Sequence, residues 1–314
     1  MEKNCKSLEL KKKLLGYIQA SRIEGGMIAV VFLMIGIWYS NNSFLLYESL
    51  LGIFGVFFIV NAGSIINYVF DFNVDRVAEK DIGFFKNISK REMIFVSLLF
   101  SFFGIFILYF VSFVSFIFSL VLFFVFFIYA SPPLRLKTLP PFDCFINGLG
   151  FGVIPFFIGW VVNGDFPKDL LIYFVALICG LIVTSYYLFI SSFDIDSDKE
   201  AGIKTTCTLL GFKNTIYLGV FLFIFAFVIS FLLYYSFFEL FISIIICLPV
   251  VLSLLFKKDI FYVQKSISIV YVLWSSSVLF ILSFLSKSII SIVLFIVIIL
   301  ISLQIIVIYS RTKS

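Results

Sequence analysis

Apolar stretches of about twenty residues recur along the whole chain, and they limit its possible folds more than any other feature. Of the 314 residues, 62% are hydrophobic and 13% are charged, whereas a soluble domain carries roughly 25% charged residues. A helix of about 20 apolar residues spans the hydrocarbon core of a bilayer. The sequence therefore predicts an all-α, polytopic transmembrane bundle of nine to ten helices.

Ten apolar segments can be drawn. They are 25–40, 46–70, 93–112, 113–130, 142–163, 169–190, 214–234, 237–255, 267–286 and 289–309. No Gly or Pro marks the cut at residue 112, but one helix of about forty residues would be about 60 Å long, twice the hydrocarbon core. We expect a transmembrane domain over 23–310 and a cytoplasmic N-terminal segment over 1–22, which has no signal-peptide core and lies near anionic headgroups.

The Lys and Arg residues test this segmentation, because they collect in the cytoplasmic loops of membrane proteins. With the N-terminus inside, the cytoplasmic connections are 71–92, 131–141, 191–213 and 256–266. Only Lys168 and Lys287 of the 23 cationic residues then lie outside. We expect a multi-pass protein of the cell membrane with cytoplasmic active-site loops. This topology accounts for the net charge of +5, so no nucleic-acid partner is expected.

Two features of the composition narrow the chemistry. The chain has no histidine, which removes the usual general base and most transition-metal sites. Its five cysteines are scattered, with no Cys-x-x-Cys pair, which argues against zinc and against a disulfide framework.

A first polar cluster lies at the cytoplasmic end of the second span, where the chain reads NYVFDFNVD. Residues four apart stack on one helical face, so Asn67, Asp71 and Asp75 form a stripe of oxygen-bearing side chains. Ionisable groups at membrane depth are costly and usually face a cavity or a partner. A solvated helix end is the other interpretation of this stripe taken alone.

A second acidic cluster closes the sixth span in SSFDIDSDKEAGIKTT. Asp194 and Asp198 share a helical face, Asp196 points elsewhere, and Lys204 follows a glycine that breaks the helix. The stretch looks like the start of an EF-hand loop, which needs Gly at its sixth position and Glu at its twelfth. Lysine and threonine stand there, so calcium is excluded.

The third cluster, YASPPLRLK, lies between the other two. Tyr129 ends the fourth span, two prolines stop the helix, and Arg135 and Lys137 follow in a stiff loop. Such a loop is most often an ordinary positive-inside turn. A functional interpretation is favoured because both acidic clusters and this loop fall on the same side of the membrane.

Two facing acidic clusters suit Mg²⁺, which binds carboxylate oxygens together with water and substrate phosphates. The metal and the neighbouring cations would neutralise a departing diphosphate. If that diphosphate carries an allylic chain, its departure leaves a carbocation, which aromatic faces stabilise. Tyr129, Tyr186 and Tyr187 lie near the mouth.

These three motifs resemble, in residue type, order, spacing and side of the membrane, those of the UbiA superfamily of intramembrane prenyltransferases. The resemblance covers roughly residues 20–255. It implies a helical bundle around a central cavity capped by cytoplasmic loops. It also implies Mg²⁺-dependent transfer of a prenyl group from a polyprenyl diphosphate to a lipophilic acceptor among membrane lipids.

The resemblance further implies roles for single residues. The metal ligands would be Asn67, Asp71 and Asp75 for one ion, and Asp194 and Asp198 for the second. The diphosphate would contact Asn67, Lys137, Arg135, Lys204 and, by a looser match, Arg22. Tyr129 would lie near the reacting carbon and would be catalytic together with the four carboxylates.

The chain departs from the family pattern at three points. Tyr68 stands where an acidic residue is common, and the run after the first motif, DRVAEKDIGFFKNISKRE, lacks the frequent RTxxRP pattern. Diphosphate contacts are therefore not carried over to Arg76 or Lys80, and the haem O synthase branch is disfavoured. Ten spans also exceed the common nine.

The acceptor is assigned by analogy alone. DKEAGIKTTCTLLG favours the carotenoid, lycopene-elongase-like branch. A glycerol-ether-lipid (geranylgeranylglyceryl phosphate) synthase is nearly as good a match, and chlorophyllide and quinone-precursor enzymes are further alternatives. Two other classes of protein are alternatives to an enzyme. A transporter would place its acidic residues near the bilayer midplane. A non-catalytic lipid-binding relative would not need all five amide and acidic positions.

Overall fold

The computed structural model describes residues 13–14, 16–77, 88–163, 166–256, 260–289 and 292–297, and these ranges contain helices but no strand. The helices are α1 (Ile23–Asn41), α2 (Leu46–Val77), α3 (Lys90–Val111), α4 (Phe113–Ala130), α5 (Phe142–Asn147), α6 (Ile154–Asn163), α7 (Leu170–Ser191), α8 (Ile195–Glu200), α9 (Thr206–Leu232), α10 (Phe238–Ser253) and α11 (Ile260–Ser286). A short 3₁₀ turn precedes α5, and the π-helical stretch Gly148–Val153 joins α5 to α6. The predicted all-α class is confirmed.

Eight helices in the described ranges are long and apolar enough to cross a bilayer. They are α1, α2, α3, α4, the continuous α5–α6 helix, α7, α9 and α11, and the shorter apolar α10 has 16 residues. Nine predicted segments thus have a helical counterpart, while the tenth, 289–309, lies largely outside the described residues. The chain is a multi-pass membrane protein.

The helices differ in how much of their surface other helices cover. In α1 and α5–α6, 67% and 72% of the spanning residues are buried inside the protein, against 22% and 28% in α3 and α4. α1 and α5–α6 therefore form the centre of the bundle. α3 and α4 lie at its edge, where exposed Phe side chains suit contact with lipid tails.

The boundary between α3 and α4 lies at the predicted cut. Ser112 has an extended backbone, and its hydroxyl oxygen accepts a hydrogen bond from the N–H of Ser115. Serine is a preferred N-cap residue because its side chain satisfies an otherwise unpaired amide. The prediction of two helices is confirmed, and the cap that separates them was present in the sequence.

Two predicted boundaries around the second acidic cluster are wrong. The cluster does not close the sixth span, because α7 ends at Ser191 and Asp194 is the N-cap residue of the separate helix α8. The next span begins at Thr206 rather than near residue 214, with a kink at Gly211, where φ is 73°. A reciprocal cap between Thr205 and Thr208 starts it early.

Two glycines allow α1 and α6 to pack backbone against backbone. A Cβ atom on Gly36 would lie 2.0 Å from the carbonyl oxygen of Phe156, and one on Gly159 would lie 2.0 Å from that of Leu33. Small residues permit such close approaches between membrane helices. Neither carbonyl can move aside as the end of a flexible side chain would. This contact, which we call the glycine seam, fixes α1 against the α5–α6 helix.

We predict that Gly36→Ala lowers the free energy of unfolding by about 3 kcal/mol or more, because the added methyl group forces the two backbones apart. The matched control is Gly52→Ala, whose Cβ would meet the side-chain Cγ2 of Val162 at 3.1 Å. Thermal unfolding in detergent, followed by size-exclusion chromatography, measures both. Equal transition temperatures for the two variants would contradict the close contact.

Candidate active site

Asp71 lies among cations from the loop between α4 and α5. Its Oδ1 atom accepts hydrogen bonds from Nη2 of Arg135 at 3.1 Å and from Nζ of Lys137. Lys137 Nζ also donates to Oδ1 of Asn67 at 3.0 Å. Arg135 Nη2 is 3.5 Å from the carbonyl oxygen of Phe70. The structure thus brings the first and third motifs together.

The loop that carries these cations is tightly folded. The N–H of Arg135 donates to the carbonyl of Ser131 at 2.9 Å, and Arg135 itself has a left-handed backbone with φ of 40°. Non-glycine residues hold such conformations where the surroundings enforce them, often at functional sites. The Nε atom of Arg135 is buried and has no hydrogen-bond partner among the described residues. A buried donor of this kind fits an anionic ligand.

Lys137 lies where several parts of the site meet. Burial lowers its pKa to about 7, the positive charge of Arg22 acts in the same direction, and the negative charge of Asp198 opposes it. The contact with the Asp71 carboxylate favours the ammonium form. Arg22 and Asp198 therefore lie near enough to act on the same amine.

The second acidic cluster sits on α8, which packs against α2. The N–H of Asp198 donates to the carbonyl of Asp194 at 2.8 Å, so the two residues are one helical turn apart. Both are half-buried, whereas Asp196 is exposed. Lys204 is exposed in the turn that follows α8.

Arg22 stands just before α1, in a left-handed conformation with φ of 46°. Its guanidinium lies 5.5 Å from the centroid of the Tyr68 ring. Arginine over an aromatic face gains roughly 0.5–1 kcal/mol at an exposed site. Tyr68, which departs from the family pattern, therefore contacts Arg22, which the resemblance assigns to diphosphate binding.

Tyr129 is held by two neighbours. Its hydroxyl oxygen accepts a hydrogen bond from Nδ2 of Asn147 at 2.9 Å, and the hydroxyl of Tyr187 is its second hydrogen-bonding neighbour. The same Nδ2 atom donates to the carbonyl oxygen of Asp143 at 2.7 Å. Sequence analysis missed Asn147 and Asp143, although their four-residue spacing in an apolar span was a usable indication.

The chemistry of the described side chains fits a Mg²⁺ ion that is completed by other ligands. No three acidic residues among those that the structure describes gather into a metal site by themselves, and the side chain of Asp75 lies outside that set. The oxygens of Asn67 and Asp71 do converge on one positive centre, the Lys137 ammonium. Mg²⁺ usually binds one or two carboxylates and completes its shell with water and substrate phosphates.

An apolar cleft lies between α1, α7, α9 and α11. Its lining includes Ile28, Phe32, Tyr186, Phe223, Tyr271 and Trp274. Two serine hydroxyls in the lining are engaged with backbone carbonyls, since Ser185 donates to Gly219 and Ser275 to Tyr271. The cleft therefore presents a hydrocarbon surface, consistent with the predicted cavity.

The UbiA prenyltransferase family matches this sequence over residues 29–266, which include all three motifs. The chain belongs to that family. The predicted resemblance is confirmed.

Individual relatives agree. The chain is 38% identical over 92 residues to the lycopene elongase/hydratase of Haloarcula japonica, a match that covers 28% of this chain and 29% of that protein. The chain thus spans less than a third of the length of the curated relatives it matches.

Two solved structures have a similar fold. A structure of digeranylgeranylglyceryl phosphate synthase has a TM-score of 0.62 at 23% identity, covering 85% of this chain and 97% of that one. A UbiA homologue from Archaeoglobus fulgidus bound to GPP and Mg²⁺ also has a TM-score of 0.62, at 17% identity, covering 85% of this chain and 99% of that one. At these identities the likeness shows the fold.

We predict that Tyr129→Phe lowers the free energy of unfolding by about 1–2 kcal/mol, because the Asn147 amide and the Tyr187 hydroxyl each lose a hydrogen-bond partner. The control is Tyr271→Phe, another tyrosine within the bundle, whose ring stacks on Tyr186 at 5.6 Å. Thermal unfolding of the purified variants measures the difference. Identical stability of the two would show that the Tyr129 hydrogen bonds contribute nothing.

Proposed function

We propose that this protein is a Mg²⁺-dependent prenyltransferase that transfers a polyprenyl group from a polyprenyl diphosphate to a lipophilic acceptor. One observation carries the proposal. The oxygens of Asn67 and Asp71 converge on the cations of the loop 131–141, and the acidic helix α8 packs alongside. Opposite charges are thus gathered at one end of an apolar bundle, as an amphiphile with a diphosphate head requires.

The diphosphate would bind where the cations meet. Lys137, Arg135 and Arg22 carry positive charge into this region, and Lys204 lies on the adjoining turn. The unpartnered Nε–H of Arg135 would donate to a phosphate oxygen. These donors would stabilise the negative charge that develops on the departing diphosphate.

Mg²⁺ would be held by Asn67, Asp71 and Asp75 on α2 and by Asp194 and Asp198 on α8, and it would supply charge neutralisation on the phosphate oxygens. In the described structure Lys137 donates to two of these oxygens. The Asp71 carboxylate and the Asn67 amide oxygen would therefore exchange the Lys137 ammonium for Mg²⁺ on donor binding.

Departure of the diphosphate leaves an allylic cation, which needs a polarisable surface without a nucleophile. Tyr129 suits this role because hydrogen bonds with Asn147 and Tyr187 engage its hydroxyl. Its ring is thereby fixed, and an aromatic face stabilises a nearby cation. The acceptor's electron pair would then form the new carbon–carbon or carbon–oxygen bond, and the acceptor would lose a proton, which the released diphosphate can accept.

We infer that the acceptor is a carotenoid-type polyene. The apolar lining of the cleft suits a chain without a polar headgroup, and partial matches to lycopene elongase/hydratases point the same way. The alternative is geranylgeranylglyceryl phosphate, whose phosphate would need a further cationic contact. The proposed topology places the N-terminus and the site on the cytoplasmic side, with the transferase domain over 23–310.

We predict that Asp71→Ala and Asp198→Ala each reduce Mg²⁺-dependent consumption of geranylgeranyl diphosphate in membranes by more than about 100-fold. The control is Asp169→Ala, an exposed acid before α7, at the opposite end of that helix from the site. It should retain activity. Full activity in both site variants would contradict the proposed enzymatic function. Counterflow of a labelled solute that depends on Asp71 would indicate a transporter.

A second measurement identifies the acceptor. Lipids extracted from cells that express the wild-type protein or Asp71→Ala are compared by mass spectrometry. We expect a prenylated polyene that accumulates only with the wild-type protein. A prenylated glycerol ether phosphate in its place would select the alternative acceptor.

A further inference from the structure

Asp143 is a fully buried carboxylate in the first turn of α5, and the proposed chemistry does not use it. Both of its oxygens bind Thr206. Oδ2 accepts the backbone N–H of Thr206 at 2.8 Å, and Oδ1 accepts the Thr206 hydroxyl at 2.5 Å. A carboxylate taken out of water is costly unless it is paired in this way. We call this paired contact the Asp143 clamp.

The clamp joins two chain segments that are distant in sequence. Thr206 is the first residue of α9, so its amide has no acceptor within its own helix. The partial positive charge at a helix N-terminus also favours a carboxylate at Thr206. Asp143 therefore acts as a cap supplied from another helix, and it attaches the start of α9 to the start of α5.

Each clamped segment directly adjoins one half of the candidate site. The loop with Arg135 and Lys137 leads into α5, and α8 with Asp194 and Asp198 leads into α9. Next to the clamp, Cys144 and Cys207 pack with Leu188 and Ile195 in one buried cluster. Ile195 belongs to α8, so a shift at Thr206 is transmitted to the acidic helix.

A second contact extends from the same turn of α5. The carbonyl oxygen of Asp143 accepts from Asn147, whose amide also donates to Tyr129. One face of α5 thus holds the aromatic residue near the reacting carbon as well as the start of α9. The short helix α5 therefore contacts Tyr129 and the start of α9, and it follows directly on the loop 131–141.

We propose that Asp143 is a positioning residue for prenyl transfer: its clamp on Thr206 sets the separation between the cationic loop 131–141 and the acidic helix α8. This inference rests on the proposed function. It assigns to Asp143 neither contact with the substrate nor a role as base or metal ligand. The clamp acts through hydrogen-bond geometry.

Geometry and charge can be separated by substitution. In Asp143→Asn the amide oxygen still accepts the Thr206 N–H, and the amide nitrogen donates to the Thr206 hydroxyl oxygen, which accepts as readily as it donates. The clamp survives without its charge. In Asp143→Leu, which has the same branching but larger methyl groups in place of the oxygens, both contacts are lost. Adding Thr206→Val to Asp143→Asn removes the hydroxyl that accommodates the amide.

The experiment measures kcat and KM for geranylgeranyl diphosphate with the full-length protein in membranes, at equal amounts of folded protein. Asp143→Leu should lower kcat by about 100-fold, the scale of a misplacement of about 1 Å, with less than about a threefold change in KM. Asp143→Asn should stay within about threefold of the wild-type kcat. The kcat of the Asp143→Asn/Thr206→Val double variant should decrease towards that of Asp143→Leu.

The matched control is Ser97→Ala, which removes a buried hydrogen bond of 2.8 Å to the carbonyl of Ala62 between α2 and α3 and should leave kcat unchanged. If Asp143→Leu does not fold, the comparison of Asp143→Asn with the Asp143→Asn/Thr206→Val double variant tests the proposal. If Asp143→Leu or the double variant kept the wild-type kcat, the proposed positioning role of Asp143 would be wrong. Loss in Asp143→Asn equal to that in Asp143→Leu would instead assign a role to the charge. A wild-type protein that consumes no prenyl diphosphate would overturn the proposed function itself.

Discussion

The shared hydrogen bonds to Asp71 are the interaction on which the site end of this bundle depends. A carboxylate at the end of a membrane helix is costly to bury alone, and here it accepts from Lys137 and Arg135. Those two cations come from a loop some sixty residues further along the chain. Their attraction to α2 draws the loop over the mouth of the bundle. The position of that loop then determines where α5 begins, and with it the clamp and the hydrogen bonds to Tyr129.

The same charges make the site suited to exchange. The charged side chains of the site have partners: Asp71 accepts from Lys137, and Arg22 lies over the ring of Tyr68. A diphosphate with its cations would offer the acids a metal and the bases a phosphate. Because both partners would be replaced together, binding of the proposed donor would not leave an isolated charge at membrane depth.

Much of this arrangement was readable from the sequence because membrane helices obey strong and simple constraints. Apolar length located nine spans, and the four-residue spacing of Asn67 and Asp71 placed them on one face. The errors lay at helix ends, where local capping decides. The cap by Thr205 began α9 before the predicted boundary, and the bend at Asp194 separated α8 from α7.

Other features could not be derived from spacing. That Asp143 binds Thr206, and that Arg22 lies over Tyr68, are contacts between segments far apart in sequence, and no local pattern specifies them. Asp143 could have been noted as a lone acid in an apolar span. Its partner emerges only when α5 and α9 are packed side by side. The π-helical stretch after α5 likewise reflects tertiary packing of its glycines against α7.

The glycine seam has a mechanical consequence for how a bulky lipid enters the cleft. α1 forms one wall, and it cannot swing outward without separating two backbones that touch at Gly36 and Gly159. On the neighbouring side, Ser185 ties α7 to α9 through the carbonyl of Gly219. Three of the four walls thus behave as a fixed frame, and any widening of the passage must come from displacement of α11, which leans on the short helix α10.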